Sequence, residues 1–237
     1  MATSVGSNFL GKPYMDSSDS PQLGPAEAAA WDCGCGSDEA RNRFVIPSVE
    51  RLIKQLKAKA VLDLGCGTGY LCQRLSELEV CWTLLDSNGA MMDFARRTLA
   101  GKNNISYVAA SLSVAVERQL VSTYDVVLSA YSILEVDDLP GFAKDCRLTV
   151  RENGMLAIYI PDCLEDVAPG LAFERFRVGV AHVRKLNAFT GTPLVFLARR
   201  VEHYLAAFTT EGFALVALEE FVSSVGKRHF GLVFKRF

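Results

Sequence analysis

Three glycines stand at alternate positions in the stretch VLDLGCGTGY, directly after a short run of apolar residues. A strand that runs into a Gly-rich turn and then into a helical pattern is typical of a nucleotide-binding βα unit. The dinucleotide fingerprint needs a glycine at its sixth position, where this sequence has Tyr70. The spacing of Gly65, Gly67 and Gly69 therefore favours close approach of the main chain to a ligand that lacks a pyrophosphate.

A carboxylate follows this turn at a second informative distance. Asp86 stands 17 residues beyond Gly69, at the end of the next apolar run. An acidic side chain in that place can accept hydrogen bonds from both hydroxyls of a ribose. The alternative is a helix N-cap, a role that Ser87 would fill equally well.

Strand and helix patterns alternate around these residues. An amphipathic helix pattern between Ala40 and Lys59 leads into the Gly-rich strand. This alternation implies right-handed crossovers and a mostly parallel sheet, whose ligands bind at the carboxyl ends of the strands. The further strands are predicted at Cys81–Asp86, Ile105–Ala109, Tyr124–Ala130 and Met155–Ile160, with helices near Tyr70–Leu78, Gly89–Leu99 and Leu139–Val150.

The end of the sequence breaks the alternation. After a predicted helix at Arg199–Thr210, two strand-like runs, Ala214–Phe221 and Arg228–Lys235, lie close together around Gly226. Two runs at this separation predict an antiparallel hairpin at the edge of the sheet.

With these elements in place, VLDLGCGTGY resembles motif I of the class I S-adenosylmethionine (SAM) dependent methyltransferases, and the likeness extends over about residues 40–237. The resemblance implies an α/β fold, a Rossmann-like seven-stranded mostly parallel sheet with a C-terminal antiparallel hairpin, helices on both faces and lid segments. It divides the chain into an N-terminal arm or lid, residues 1–39, and a SAM-binding domain, residues 40–237, with a lid insertion at about 162–198. SAM is the implied cofactor.

The resemblance also implies contacts to the cofactor. The main chain of the three glycines would lie against the amino acid part of SAM, and Asp63 would anchor the loop or the ammonium group of the ligand. Asp86 and Ser87 would face the ribose. Met91 would pack on the adenine face, and a core methionine is the alternative.

The adenine and amino-group contacts come from the third and fourth strands. Many members of the family place an Asp after the third strand to bind the adenine amino group, whereas this sequence has Ser111 followed by Leu112. A serine hydroxyl can accept the same hydrogen bond without charge. Main-chain groups around Ser129 would face the amino group of SAM.

Methyl transfer from SAM does not in general require an acid or base from the protein. A sulfonium leaving group needs no protonation, so the protein contributes mainly orientation and exclusion of water. A base is needed only where the nucleophile is protonated. His182, His203 and Glu135 are candidates, each of a type that is more often structural, and the catalytic residue is left unassigned. Tyr131 would face the acceptor, and the motif N/D-P-P-Y/F of nucleobase and glutamine methyltransferases is absent there.

A basic segment is the first candidate lid. Between residues 173 and 200 the sequence has six basic residues and one acid. We hypothesise that Arg177 and Arg199 bind a carboxylate or another anion on a small acceptor. The alternative is a solvated helix face whose aromatic neighbours pack in the core.

The N-terminal arm is the second candidate lid. Small-molecule members of the family close an N-terminal helix over SAM, and Tyr14, Trp31 and Arg43 would supply aromatic and cationic contacts there. The alternatives are a disordered arm, as the composition of residues 1–25 suggests, and a purely hydrophobic role for Trp31.

Composition weighs against several other classes. The 237 residues are 50% hydrophobic with a net charge of −2, which gives no electrostatic reason to expect nucleic acid or an anionic membrane as partner. No apolar run is long enough to span a membrane, and no secretory signal is evident. Seven cysteines without a C-x-x-C pair indicate reduced thiols in a cytoplasmic protein, and Cys33 with Cys35 alone does not predict a metal site.

The sequence therefore predicts a SAM-dependent methyltransferase of a small, anionic molecule, with a use in specialised metabolism as one setting. An enzyme that cyclises or eliminates the aminobutyrate part of SAM, releasing methylthioadenosine, needs the same pocket. A SAM-binding module without catalysis is the third alternative. The acceptor, the methylated atom and the oligomeric state are left open.

Overall fold

The computed structural model describes residues 23–163, 180–186 and 189–237. Within them, two sheets form. A separate hairpin pairs β6 (Val180–Leu186) with β7 (Pro193–Arg199) in antiparallel fashion. The seven-stranded sheet consists of β1 (Ala60–Leu64), β2 (Cys81–Asp86), β3 (Ile105–Ala109), β4 (Tyr124–Ala130), β5 (Val150–Pro161), β8 (Phe213–Val222) and β9 (Arg228–Arg236).

The large sheet has the strand order β3-β2-β1-β4-β5-β9-β8. Strands β1 to β5 run parallel, and β9 runs antiparallel to both β5 and β8. All parallel strands end at one edge, which we call the carboxyl edge. Because β9 is antiparallel, its first residues reach this same edge, where His229 pairs with Pro161 at the end of β5.

Helices and short turns connect the strands. A π-helical turn at Arg41–Val45 precedes α2, and a 3-10 turn at Ser132–Glu135 follows β4. The helices are α1 (Pro25–Ser37), α2 (Ile46–Leu56), α3 (Tyr70–Arg74), α4 (Gly89–Thr98), α5 (Leu112–Glu117), α6 (Leu139–Thr149) and α7 (Val201–Thr210).

Both faces of the sheet are covered by apolar packing, which explains why its central strands are hydrophobic throughout. Every residue of β4 is buried. Trp82 and Tyr159 belong to the core on one face, and Leu62 and Phe208 belong to the core on the other. Asp125 is a charged exception in β4, and its carboxylate accepts a hydrogen bond from the Ala60 N–H at 2.9 Å and forms an ion pair with Arg151.

The predicted fold class is confirmed, including the parallel strands and the C-terminal hairpin. Predicted and observed bounds coincide for β2, β3 and β4. The helix expected at Tyr70–Leu78 is shorter, because α3 ends at Arg74. The short helix α5 and the strands β6 and β7 were not predicted. No helix in the described part of the chain is long and apolar enough to cross a membrane.

The helix α1 lies inside the segment predicted as an arm. Its start is defined by local chemistry: Pro25 occupies the first turn, and the Glu27 carboxylate accepts a hydrogen bond from the Gly24 N–H at 3.0 Å. Residues 1–22 and most of the predicted lid insertion lie outside the described residues. The proposed division at residues 39 and 40 stays a prediction.

Candidate functional site

The glycine loop leaves β1 at the carboxyl edge and is held to the neighbouring strand. The N–H groups of Gly65 and Cys66 both donate to the Leu85 carbonyl, at 2.8 and 3.1 Å. The three glycines have φ angles of +65°, +56° and +77°, in the left-handed region that only glycine adopts without strain. Their spacing is therefore required by the path of the main chain.

Close packing adds a second requirement at two of these glycines. A Cβ on Gly65 would stand 2.2 Å from the Cβ of Ser132, and one on Gly69 would stand 2.9 Å from Leu99 Cδ1. At Gly67 the nearest atom is Trp31 Nε1 at 3.5 Å, an ordinary contact distance. Gly65 and Gly69 thus pack against the scaffold, whereas Gly67 faces the space beneath α1.

Asp86 ends β2 beside the loop. Its Oδ2 accepts a hydrogen bond from the Gly67 N–H at 2.8 Å, and its Oδ1 accepts one from the Asn88 N–H at 2.8 Å. Burial raises the pKa of Asp86, and these two hydrogen bonds oppose the rise. The N-cap of α4 is Asn88, whose Oδ1 accepts from the Met91 N–H at 3.1 Å, so the N-cap alternative for Asp86 and Ser87 is wrong.

Asp63 is the second carboxylate of the site, and it is almost fully buried. No hydrogen bond reaches its Oδ2 from any described residue. Burial and, to a smaller extent, the nearby Asp86 raise the pKa of Asp63 to about 7, against the opposing effect of Arg41. A buried carboxylate with an unused acceptor atom is costly on its own and suits a ligand that brings a cation or a donor.

The residues expected to contact adenine lie at the ends of β2 and β3. Met91 and Leu112 are buried, and Ser87 is exposed. Ser111 is the N-cap of α5, and its Oγ accepts from the Val114 N–H at 3.4 Å. Contacts of these residues with a cofactor stay predictions.

Two serines brace the end of β4 against the loop. Ser129 is fully buried, and its Oγ lies 2.9 Å from the Oγ of Ser132, which donates to the Leu64 carbonyl at 2.6 Å. The hydroxyl of Ser129 is thus occupied by the scaffold. Its main-chain groups remain the predicted contacts to SAM.

Tyr131 leaves β4 with a positive φ of 70°, which turns its ring away from the strand path. Its N–H donates to the Tyr159 carbonyl at 2.8 Å, so the turn is fixed by β5. The Oη lies 3.2 Å from Nδ1 of His229, and the two rings meet edge to face at 5.8 Å. Burial raises the pKa of Tyr131 and lowers that of His229, so both groups are neutral near pH 7.

Arg41 enters the site from the π-helical turn. Its guanidinium carbon lies 4.7 Å from the ring centre of Tyr131 and 5.7 Å from that of Trp31. The residue is buried, and its Nε has no hydrogen-bond partner among the described residues. The turn itself is held by the Asp38 carboxylate, which accepts from the Arg41 N–H at 2.6 Å.

A roof of two aromatic side chains connects α1 with the hairpin of β6 and β7. Trp31 of α1 and Phe189 of the hairpin loop meet edge to face, with 5.7 Å between ring centres. The same phenyl ring packs so tightly on Gly34 that a Cβ there would lie 2.2 Å from it. The glycine loop is therefore covered at Gly67 by Trp31 of α1, and the hairpin loop packs on α1.

Arg199 is the last residue of β7 and contacts the segment that follows β4. Its guanidinium donates hydrogen bonds to the carbonyls of Val136 and, at 3.0 Å, of Asp137. Burial lowers its pKa. These bonds anchor the end of β7 on the segment after β4, and contact with an acceptor stays a prediction. Tyr14 and Arg177 lie outside the described residues.

Two of the three base candidates have contacts of their own. His203 Nδ1 accepts a hydrogen bond from the Arg200 N–H at 3.1 Å at the start of α7. Burial and the nearby Asp86 raise the pKa of Glu135, which lies in the 3-10 turn after β4, and His182 belongs to β6.

Arg41 and His229 are the site residues that sequence reasoning missed, whereas Phe189 lies in the basic segment predicted as a lid. Arg41 and His229 come from two separate elements and carry no local motif, so only the fold brings them together.

The comparisons with known proteins agree with this architecture. A family model described as "Methyltransferase domain" matches residues 61–154. The chain is 29% identical over 103 residues to a ubiquinone biosynthesis O-methyltransferase of Methylocella silvestris, covering 44% of this chain and 40% of that protein. It is 22% identical over 132 residues to a malonyl-[acyl-carrier protein] O-methyltransferase of Halalkalibacterium halodurans, covering 54% and 49%. The matched segments thus span less than half the length of these relatives.

Solved structures show the same fold over a larger part of the chain. The N-methyltransferase NodS from Bradyrhizobium japonicum, in complex with S-adenosylhomocysteine, superposes with a TM-score of 0.63 at 14% identity and covers 89% of this chain and 95% of its own. A SAM-dependent methyltransferase from Mesorhizobium loti gives 0.56 at 18% identity, covering 76% and 91%. The fold and the glycine loop define a SAM-binding Rossmann-like protein. Residues 61–154 thus match a methyltransferase domain, and the fold of the chain is that of SAM-dependent methyltransferases.

Proposed function

We propose that this protein transfers a methyl group from SAM to an oxygen atom of a small acceptor molecule. The observation that carries the proposal is the pair of buried, incompletely satisfied charges beside the glycine loop. Asp63 has an unused acceptor atom and Arg41 an unused donor atom among the described residues. The amino acid end of SAM has one ammonium and one carboxylate group, which would satisfy both.

The rest of the donor site fits the same ligand. Gly67 leaves room for a ligand against the main chain beneath Trp31. Each carboxylate oxygen of Asp86 receives one hydrogen bond from the protein and retains a lone pair for a ribose hydroxyl. Met91 and Leu112 would supply apolar contacts to the adenine.

When bound, SAM would supply a methyl group on a sulfonium sulfur, and a well-placed nucleophile would attack the methyl carbon and displace the sulfur. The residues of the chain then have two tasks. Arg41, Asp63 and Asp86 orient the donor by charge and hydrogen bonds. Trp31 and Phe189 close α1 on the hairpin and exclude water from the reacting atoms.

The acceptor is proposed to be small because the aromatic roof limits the space above the loop. An oxygen acceptor is supported by the names of the relatives, which are O-methyltransferases. The expected anionic group rests on the basic residues between positions 173 and 200, and a cytoplasmic location rests on the cysteine pattern. Both stay proposals.

Calorimetric titration with SAM and mass spectrometry of the adenosyl product test the function directly. We expect binding, and S-adenosylhomocysteine only when a small-molecule extract is present. Methylthioadenosine formed from SAM alone would instead establish the cyclase or lyase alternative. Absence of SAM binding would remove the proposal altogether.

Two matched variants sharpen this test. Asp86→Asn should weaken SAM binding about 10- to 100-fold, because it removes the charge that strengthens the ribose hydrogen bonds. Asp93→Asn changes an exposed carboxylate on α4 that pairs with Arg96, and it should leave the affinity unchanged. Equal affinities in the two variants would contradict the assignment of Asp86.

A further inference from the structure

The contact between Tyr131 and His229 lies beside the donor site and is not used in binding SAM. Tyr131 follows β4, and the next residue, Ser132, packs on Gly65 of the loop. His229 belongs to β9, whose antiparallel direction brings its first residues to the carboxyl edge. The two residues are nearly one hundred positions apart in sequence. At the carboxyl edge, the Oη atom of Tyr131 and the Nδ1 atom of His229 lie 3.2 Å from each other.

The surroundings keep both groups neutral in the resting site. Burial, Lys227 and Arg41 lower the pKa of His229 below its ordinary value of 6.5, while Asp38 and Glu39 oppose the shift. Phe221 packs on the other side of the imidazole, with 6.2 Å between ring centres. The guanidinium of Arg41 lies over the ring of Tyr131, where it would stabilise negative charge that develops on the phenol oxygen.

We infer that Tyr131 and His229 form a proton relay for a hydroxyl acceptor. In this relay Tyr131 Oη accepts the proton of the acceptor hydroxyl and passes its own proton to Nδ1 of His229. The acceptor oxygen forms its bond to the methyl carbon as the bond from that carbon to sulfur breaks, and the sulfur keeps the electron pair. The imidazolium then returns the proton to water. His229 acts through Tyr131 and is a positioning residue.

The relay rests on the proposed function and restricts the acceptor group to a hydroxyl. A carboxylate acceptor is already deprotonated at neutral pH and would need no such relay. The product is therefore expected to be a methyl ether, which survives mild alkali, whereas a methyl ester is hydrolysed. A methyl ester as the product formed from the extract would overturn the inference.

The protonation of the imidazole tests the relay without any acceptor. The chain has three histidines, so nitrogen NMR of the protein bound to S-adenosylhomocysteine can resolve them, with His229→Asn and His203→Gln to assign the signals. We expect neutral His229 to carry its proton on Nε2, leaving Nδ1 free to accept from Tyr131. A proton on Nδ1 would overturn the relay.

The variant Tyr131→Phe gives a second test through the pKa of His229, which a purely structural role of Tyr131 would leave unchanged. A phenol that donates to Nδ1 stabilises the neutral imidazole, so its removal should raise the pKa of His229. If the imidazole were the donor, the same variant would lower that pKa. Methyl transfer should fall about 100-fold or more in kcat, with the KM for SAM unchanged.

The two proposals fail in distinguishable ways. Absence of S-adenosylhomocysteine binding in the wild-type protein contradicts the SAM site itself. Binding together with a proton on Nδ1, or with a lowered pKa of His229 in Tyr131→Phe, contradicts the relay alone. The control variant His203→Gln changes a histidine that caps α7 and should leave the pKa of His229 unchanged.

Discussion

Asp63 combines burial, an unused acceptor atom and a pKa of about 7. The raised pKa means that the free protein holds this carboxyl partly protonated at neutral pH. An ammonium group placed beside it favours the carboxylate and releases the proton. We therefore predict that SAM binding at pH 7 releases protons, and that the affinity for SAM rises between about pH 6 and pH 8.

Calorimetry in buffers of different ionisation enthalpy measures the released protons. Asp63→Asn is nearly the same size and cannot ionise, so it should abolish both the proton release and the rise of affinity with pH. Proton release that persists in this variant would assign the titration to another group.

Among the elements, the glycine loop allows two causes of strain to be measured separately, a positive φ angle and a lack of space for a Cβ. Gly65 and Gly67 both have a positive φ, but only Gly65 has no space for a Cβ. We predict that Gly67→Ala lowers the free energy of unfolding by about 1 kcal/mol, the cost of the backbone conformation. Gly65→Ala should lower it by about 2–4 kcal/mol, because Ser132 must also move.

Denaturant unfolding of the two variants without ligand measures these costs. The two variants should rank in the opposite order for SAM affinity. Gly67→Ala should lose more affinity than Gly65→Ala, because a Cβ on Gly67 enters the space beneath Trp31. Equal losses of stability in both variants would show that the contact with Ser132 is not limiting.

The elements also show what local sequence can predict. The strands of the parallel sheet were predictable because each is a short apolar run bounded by turn residues, and the C-terminal hairpin because Gly226 separates two such runs. The start of α1 was missed because the Ala-, Cys- and Gly-rich stretch after Pro25 has little helical periodicity. Its helix is supported by the Glu27 cap and by packing on α4.

The residues of the site also fall into two groups, those that local sequence predicts and those that only the fold brings to the carboxyl edge. Asp63, Asp86 and the glycines follow strands directly, so their shared edge could be inferred from alternation alone. Arg41 and His229 reach the edge through a π-helical turn and an antiparallel strand, and neither has a local pattern that marks it. Arg199 shows another limit of local sequence, because its guanidinium donates to two main-chain carbonyls, contacts that the basic segment does not predict.

In the assembled fold, α1 covers the glycine loop through Trp31, and the hairpin loop packs on α1 through Phe189. The chain has two tryptophans, and the other, Trp82, is buried in the core. We predict that SAM binding changes the tryptophan fluorescence, because Trp31 lies against Gly67 where the ligand enters. Fluorescence titration with SAM measures the change.

Trp31→Phe provides the control for this prediction. It retains an aromatic ring for the roof and leaves Trp82 as the one emitter, so the fluorescence should no longer respond to SAM. A response that persists in the variant would place the conformational change in the core rather than at the roof.

The two walls of the site come from different parts of the chain. The matched methyltransferase segment, residues 61–154, contains the glycine loop, Asp63, Asp86 and Tyr131. Trp31, Arg41, Phe189 and His229 lie before or after it. A graft that exchanges only the segment after residue 154 with that of another methyltransferase should therefore change which molecule is methylated while Arg41, Asp63 and Asp86 keep their donor contacts, so substrate choice and donor use can be engineered separately.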